Sequence, residues 1–267
     1  MEWFTILLSS FITAISPVGL IVDTVVADTL RSQVAGVEEL AVRVDNTPSY
    51  QPLQGKIDRI RIASRGLELI ENLRIESFEL ETDPIDLNLN RLQEPGGLKK
   101  IQTSLNKPFQ GAFRVVIKES DLNQALESTN IKSQLQTLID GLLPAQAPQF
   151  EILTLRLNFI EKNRLGLEAE LEQVAEEGET NNQLAIAAEV GFDVEKGRSI
   201  KLIDFSATLN ERKLSQRFLD LLTTGINQRL DLATFEERGI VARLLKLNFD
   251  EETLDIVAFV RLNPATD

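Results

Sequence analysis

Apolar and polar residues alternate along several stretches of this sequence, most regularly in its second half. The alternating runs there are residues 153–159, 165–171, 184–192 and 203–209. A period of two places every second side chain on the same face, so each run predicts a strand with one buried face. The connections between the runs are short and contain Asn, Gly and charged residues. They predict an antiparallel meander of four strands.

The first half alternates less regularly, and helical spacing appears beside it. Alternation predicts strands near residues 40–44, 56–65, 73–80 and 113–117. Apolar residues then recur at helical spacing over 131–143, which predicts an amphipathic helix.

The last part of the chain repeats this order of a helix and strands. Helical spacing returns over residues 214–232, and alternation returns over 245–249 and 254–262. We expect the last two strands to complete the sheet of the second half.

Two stretches change period in the middle. In residues 113–126 and 205–218, alternating apolar residues are followed by apolar residues at helical spacing. Each stretch predicts a strand that runs into a helix, with Ser120 and Asn210 as N-caps for the free N–H groups of the first turn. The two stretches are identical at four positions, which fits either an internal repeat or two independent junctions of one kind.

These elements predict an α+β fold of strongly curved antiparallel meander sheets with amphipathic helices packed on their apolar faces. We expect an apolar N-terminal helix in residues 1–35 and a single domain in residues 36–267. The domain would consist of two strand–helix halves, 36–147 and 148–267, with the boundary near a segment rich in Ala, Gln and Pro. The apolar face of such a sheet either packs solidly or leaves a groove for an acyl chain.

Residues 3–22 carry no charged side chain. Their length matches a membrane span, but Ser, Thr, Pro and Gly interrupt the run. Glu2 stands where a secretory signal has basic residues, which disfavours a cleaved signal peptide. The segment is either a helix that covers the open end of a sheet or an uncleaved membrane anchor. The candidate membrane contacts are Trp3, Phe4, Leu7, Leu8 and Phe11.

The composition of the chain excludes several kinds of partner and of catalytic chemistry. The formal charge is −13, so the surface repels nucleic-acid phosphates and nucleic acid is not expected as a partner. The chain contains no His and no Cys, which excludes imidazole and thiolate catalysis and the usual zinc ligands. The spacing of the remaining reactive side chains indicates no catalytic pair, so we expect neither an enzyme nor a metal site.

One predicted strand carries a dense group of cations: Lys56, Arg59, Arg61 and Arg65. They are candidates for contact with lipid headgroups. The alternative is a solvated strand face that is neutralised by acidic residues of the following strand. Those acidic residues are Glu76, Glu79 and Glu81.

Five motifs in the first third of the chain are distinctive. They are Ser16-Pro-Val-Gly-Leu-Ile-Val-Asp23, Leu30-Arg-Ser-Gln33, Asp45-Asn-Thr-Pro-Ser-Tyr-Gln-Pro-Leu-Gln-Gly55, Ile60-Arg-Ile-Ala-Ser-Arg-Gly-Leu67 and Glu81-Thr-Asp-Pro-Ile-Asp86. With them the chain resembles the LmeA-like phospholipid-binding family, especially its cyanobacterial members. The resemblance implies an envelope- or membrane-associated protein with a tubular lipid-binding fold, in which a curved sheet holds a helix. Mycobacterial relatives bind phospholipid and support assembly of a membrane-anchored glycolipid, but this chain has no Cys that could be lipidated.

The first functional hypothesis is a non-catalytic phospholipid-binding or lipid-transfer protein without a cofactor, at the cell envelope or an internal membrane. Its partners would be phospholipid and the membrane surface. Alternation gives the candidate lipid-facing residues Ile60, Ile62, Leu73, Ile75, Phe113, Val115, Leu155, Leu157, Leu167, Ile186, Val190 and Phe205. The alternative hypothesis is a membrane-associated scaffold with a solid core and no ligand.

Overall fold

A computed structural model describes residues 27–28, 30–32, 34–48, 50–70, 72–92, 98–142, 149–174 and 182–265. Antiparallel sheets and helices make up these residues, which confirms the predicted α+β class. The sheets are curved, and neither closes on itself.

The described residues form thirteen strands, which are numbered in chain order. They are β1 (Gly36–Asp45), β2 (Lys56–Ile57), β3 (Arg59–Ile70), β4 (Leu73–Thr82), β5 (Ile85–Asp86), β6 (Phe109–Lys118), β7 (Phe150–Ile160), β8 (Arg164–Gln173), β9 (Gln183–Glu195), β10 (Ser199–Leu209), β11 (Arg212–Lys213), β12 (Ile240–Phe249) and β13 (Thr253–Leu262). The first sheet has six strands in the order β1-β3-β4-β6-β13-β12. The second sheet has five, in the order β11-β10-β9-β8-β7, and β2 pairs separately with β5.

The second sheet contains the four-strand meander that alternation predicts, as β7 to β10. The last two strands are also present, but they do not complete that sheet. β13 pairs with β6 along its whole length, from Thr253 opposite Lys118 to Leu262 opposite Phe109. The C-terminal hairpin therefore returns to the first sheet, and the pairing crosses the predicted boundary between residues 147 and 148. Alternation shows which residues of a strand share a face, but it does not identify the neighbouring strand.

The helices are α1 (Leu89–Leu92), α2 (Leu98–Ser104), α3 (Glu119–Glu127), α4 (Thr129–Leu142) and α5 (Gln216–Arg229). Two 3-10 helices span Gln51–Gln54 and Leu232–Arg238. Helices α4 and α5 match the two helices predicted from spacing. Residues 27–28 and 30–32 are also helical, and Leu30 packs against the core of the first sheet.

Both predicted N-caps are wrong. Helix α3 begins at Glu119, so Ser120 lies inside its first turn. Asn210 lies in a tight turn at a φ of 48°, and its Oδ1 accepts a hydrogen bond of 2.8 Å from the N–H of Ala185. Asn tolerates this left-handed conformation better than most residues, which favours a turn at this position. The second stretch thus continues through β11 before α5 begins after Ser215, and the two stretches differ in architecture.

The main core lies on the inner face of the first sheet. Its buried members are Ile57, Ile60, Ile62, Ile85, Leu87, Ile101, Leu105, Phe109, Ile240, Val260 and Leu262. They come from the strands of the first sheet, from the β2–β5 pair and from α2 with the segment after it. Short, irregular segments thus cover this sheet face rather than one long helix.

The two sheets meet near the turns of the second sheet. The ring of Phe249 on β12 stacks on Phe192 at a centroid distance of 5.2 Å and meets Phe159 edge-on at 5.3 Å. The N–H of Phe249 also donates to Oδ1 of Asn163 at 3.0 Å. Aromatic packing and a partly buried hydrogen bond therefore join the C-terminal hairpin to the second sheet.

Candidate functional site

An apolar cavity of about 290 Å³ lies against the inner face of the first sheet, over strands β6, β12 and β13. Its floor follows the cross-strand register. Phe113 on β6 lies opposite Ala258 on β13, and Ala258 lies opposite Leu244 on β12. In the neighbouring row Val260 lies opposite Ala242.

The two alanines explain why the floor has room. Ala258 and Ala242 stand among larger apolar neighbours on the same face. A methyl group leaves volume that Val, Ile or Leu would fill at the same position. Alanine is also uncommon in strands, so its presence at the centre of this face is not explained by strand propensity.

Segments outside the first sheet form the walls. Leu232 and Phe235 come from the 3-10 helix Leu232–Arg238, Leu98 comes from α2, and Ile200 comes from β10 of the second sheet. The cavity thus lies where the two sheets and the 3-10 helix come together.

Among the described residues that line the cavity, Arg238 is the one charged side chain. It is exposed and ends the 3-10 helix, and Gly239 follows in the left-handed conformation at a φ of 75°. Nε2 of Gln102 donates to the carbonyl oxygen of Arg238 at 2.7 Å, which fixes the backbone at this position. Within the described part of the chain the Arg238 guanidinium has no acidic partner. The geometry therefore combines an apolar interior with a cation at its edge.

A larger and more open space lies on the second sheet. A groove of about 900 Å³ runs beside α3 and α4, with Leu155, Ala169 and Ile186 as its apolar part. Acidic residues such as Glu168 and Glu170 also line it. The groove is larger than the cavity on the first sheet, but its many charged groups would have to lose water against an acyl chain. The smaller cavity is therefore the better candidate site for an apolar ligand.

Comparison with protein families now adds an independent observation. The family model described as LmeA-like phospholipid-binding matches residues 13–259. The chain belongs to this family. No curated protein and no solved structure gave a significant match to the chain.

For a member of the LmeA-like family, the positions of the lipid-facing candidates are informative. Phe113 lines the apolar cavity. Ile60 and Ile62 lie in the solid core, and Ile75 is also buried. Leu73 and Val115 are half-buried.

The remaining lipid-facing candidates lie on the second sheet. Leu155 and Ile186 line the open groove, whereas Phe205 lines a recess of about 510 Å³ beside α5. Leu157 and Leu167 are half-buried cross-strand partners, and Val190 is half-buried on β9. The structure thus spreads the predicted set over the solid core, the cavity, the groove, the recess and several half-buried strand positions.

The headgroup candidates on β3 point away from the cavity, because they alternate with the inward residues Ile60 and Ile62. All three of these arginines face carboxylates of neighbouring strands, whereas the fourth candidate, Lys56, lies on β2. Arg59 contacts Glu81 at 3.0 Å, Arg61 contacts Asp45, and Arg65 lies 4.0 Å from Glu39. Lys56 is exposed.

These contacts are the cross-strand charge pairing that was the alternative interpretation, although only Glu81 among the expected acidic residues takes part. Hydrogen bonds from Arg43 and then Arg61 hold the pKa of Asp45 below its usual range. Glu76 pairs instead with Arg74 and Lys118, and their hydrogen bonds lower its pKa.

The membrane-contact candidates Trp3, Phe4, Leu7, Leu8 and Phe11 lie outside the described residues. In the part of the chain that the structure describes, no helix has both the length and the apolar composition that crossing a bilayer requires.

The described residues show no arrangement that points to catalysis or metal binding. No cluster of three or more potential ligands is present in them. The described groups whose pKa is shifted belong to ion pairs or turns, and none of them lines the apolar cavity. What the site offers is therefore apolar surface with a cation beside it.

Sequence reasoning identified Phe113 in this cavity and missed the residues that shape it. Leu232 is the last residue of the final predicted helix, and Phe235 and Arg238 follow it in a segment whose 3-10 geometry has no long periodic pattern. The available signal was local: alanines at two central positions of otherwise large-residue strands.

Proposed function

We propose that this protein binds phospholipid without catalysing a reaction, with an acyl chain in the cavity beneath the 3-10 helix Leu232–Arg238. The observation that carries the proposal is the apolar lining of this cavity in a member of a phospholipid-binding family. The cavity volume of about 290 Å³ lies just below the range of about 300–1,000 Å³ that is usual for ligand pockets. One acyl chain fits this volume better than a whole phospholipid.

The energetic argument is the transfer of an apolar chain out of water. Each methylene group buried contributes about 0.8 kcal/mol. The floor around Ala242 and Ala258 gains contacts that an empty cavity lacks. Because Arg238 is exposed at the edge, the phosphate of the lipid would remain in water beside the guanidinium.

A lipid-transfer role at a membrane of the cell envelope, or at an internal membrane, follows as part of the same proposal. A cavity that holds one chain and leaves the headgroup in water allows the lipid to enter and leave without unfolding of the core. The chain is acidic overall, so contact with an anionic bilayer requires a local apolar or basic surface.

The decisive experiment replaces small side chains on the cavity floor by larger ones, so that the protein itself fills the cavity. In the variants Ala258→Leu and Ala242→Leu, a larger side chain occupies the floor, and we expect phospholipid binding to fall by about tenfold or more. Lipid extracted from the purified protein is quantified by mass spectrometry, and binding of a fluorescent phospholipid is titrated. The matched control is Ala63→Leu, because Ala63 is an exposed alanine of the same sheet.

Lipid transfer between donor and acceptor vesicles should fall in the same two variants and stay unchanged in Ala63→Leu. Wild-type protein that carries no phospholipid and binds none would contradict the proposal and favour a scaffold with a solid core. Unchanged binding in folded Ala258→Leu and Ala242→Leu would show that the lipid does not occupy this cavity.

A further inference from the structure

Helix α5 presents apolar side chains on both of its sides. Leu219 is buried against the second sheet. Phe218 and Leu221, three residues apart, are 48% and 68% exposed. Residues three apart in a helix lie on one face, so these two side chains form a continuous apolar patch directed to solvent. Exposed aromatic and aliphatic residues side by side indicate an interaction surface more often than scattered single ones do.

Basic residues precede and follow this patch along the chain. Arg212 and Lys213 precede α5, Arg217 lies in its first turn, and Arg229 lies in its last. All four side chains are exposed, and none forms an ion pair within the described part of the chain. The contrast with β3 is clear, because all three of its arginines face carboxylates.

The local charge has the opposite sign from that of the whole chain. Residues 211–229 contain four basic and two acidic residues, whereas the whole chain contains 28 basic and 41 acidic residues. One of the two acidic residues, Asp220, accepts a hydrogen bond of 2.9 Å from Gln216. A basic, partly apolar helix in an acidic protein has the charge complementarity that an anionic surface requires.

We propose that α5 is a docking helix for an anionic lipid bilayer. Phe218 and Leu221 enter the interface between headgroups and acyl chains, while Arg212, Lys213, Arg217 and Arg229 contact the lipid phosphates. The inward side of the helix stays attached to the second sheet through Leu219. An aromatic and an aliphatic side chain flanked by cations is the composition typical of helices that lie in a membrane interface.

Helix α5 is connected directly to the wall of the cavity, so docking of the helix would bring the cavity to the membrane. This step of the inference rests on the proposed function. Helix α5 ends at Arg229, and the 3-10 helix that forms the cavity wall begins at Leu232. The N–H of Leu232 donates to the carbonyl oxygen of Arg198 at 2.9 Å, which ties the connection to the second sheet. A docked α5 therefore holds the cavity close to the bilayer from which a lipid is taken.

The absence of Cys from the chain allows a test at a single position. Leu221→Cys is labelled with an environment-sensitive fluorophore in the full chain, and vesicles of phosphatidylcholine with or without phosphatidylserine are added. We expect a blue shift and a rise in emission with the anionic vesicles. The matched control is Leu245→Cys, because Leu245 is 62% exposed on β12 and lies outside the docking helix. A response at position 245 without one at 221 would overturn the proposal.

The cations are tested in the labelled protein. Adding Arg217→Gln and Arg229→Gln should weaken the response to anionic vesicles by about tenfold, since each basic residue near such a surface adds attraction. The matched control replaces the exposed residues Lys107 and Lys162 by Gln and should leave the titration unchanged. Equal weakening in both double variants would mean that overall charge, and not this surface, governs binding.

Two further measurements separate the alternatives. Light scattering of unlabelled wild type and of Phe218→Ser/Leu221→Ser tests for self-association, and a dimer that this double variant abolishes would assign the patch to a second copy of the chain. The label at position 221 is also measured in Ala258→Leu. Docking that persists in this variant supports the inference even if lipid binding is lost. Lipid binding without docking would overturn the inference alone.

Discussion

The inner faces of the two sheets carry the same alternation of apolar residues but are covered differently. On the first sheet, Ile60 and Leu262 are 0% exposed, and short segments pack over them. On the second sheet, α3 and α4 lie on the edge strand β7, and α5 lies on β10. The central strands β8 and β9 remain beside a groove of about 900 Å³.

This difference shows that a periodic pattern specifies which side chains share a face. It does not determine which segments pack over that face. A face becomes a core only where other segments bury it, and those segments need no periodicity of their own. In the first sheet the β2–β5 pair, α2 and the 3-10 helix Leu232–Arg238 supply that cover. The cavity lies at the edge of these covering segments, between the 3-10 helix and the alanines Ala242 and Ala258 of the sheet.

The largest expected effect compares one leucine from each face. Leu262→Ala should lower the free energy of unfolding by about 3–5 kcal/mol, because it removes a fully buried side chain from a close-packed cluster. Leu167→Ala should cost about 1–2 kcal/mol, because Leu167 is only half-buried on the central strand β8. The measurement is urea unfolding followed by circular dichroism. Equal losses in both variants would mean that the two faces are packed alike.

The sequence predicts the elements of this fold better than it predicts how they pack together. Alternation found β7 to β10, and helical spacing found α4 and α5, because both signals are local. Neither signal could show that β13 pairs with β6. The two strands are more than a hundred residues apart, and alternation carries no information on pairing.

The candidate site was less accessible to prediction than the fold. Phe113 was identified because it alternates on β6, but the 3-10 helix with Leu232 and Phe235 has no long period. The cationic face of α5 was missed for another reason. Helical spacing over residues 214–232 places Phe218 and Leu221 in the apolar stripe and so predicts them to be buried, but the structure exposes both and buries Leu219 instead.

The outer faces of the sheets offer a second comparison. On the first sheet, Asp255 is buried and receives hydrogen bonds of 3.0 Å and 3.1 Å from Arg114 and of 2.5 Å from Lys246. On the second sheet, Arg164 contacts the more exposed Glu189 at 2.6 Å. We expect Asp255→Asn to lower stability by about 1–2 kcal/mol and Glu189→Gln by about 0.5 kcal/mol or less, because solvent screens the second pair.

The effect of Asp255 should depend on pH with a defined sign. Hydrogen bonds from Arg114, and then from Lys246, hold the pKa of Asp255 below its usual value, although burial opposes the shift. A carboxyl with a lowered pKa stabilises the fold above its unfolded pKa of about 3.9 and loses that contribution as the pH falls through the folded value. The stability difference between wild type and Asp255→Asn should therefore be constant near neutral pH and shrink below about pH 4. A difference that grows on acidification would contradict this account.

The last comparison uses two glycines, one in each region. Gly225 lies within α5, and a Cβ at this position would meet nothing within 4 Å. Gly225→Ala should therefore raise stability by about 0.5–1 kcal/mol, because alanine favours the helix and restricts the unfolded chain. Gly55 stands at a φ of 78° beside the packed first sheet, where an added Cβ would lie 2.1 Å from the carbonyl oxygen of Leu87.

Gly55→Ala must displace this backbone and should therefore destabilise the fold in the same urea titration. Opposite signs at the two glycines would show that the solvent side of α5 tolerates an added methyl group, whereas the packed turn beside the first sheet does not. Destabilisation by Gly225→Ala would mean that the solvent side of α5 is covered, which would also remove the exposed surface that bilayer docking requires.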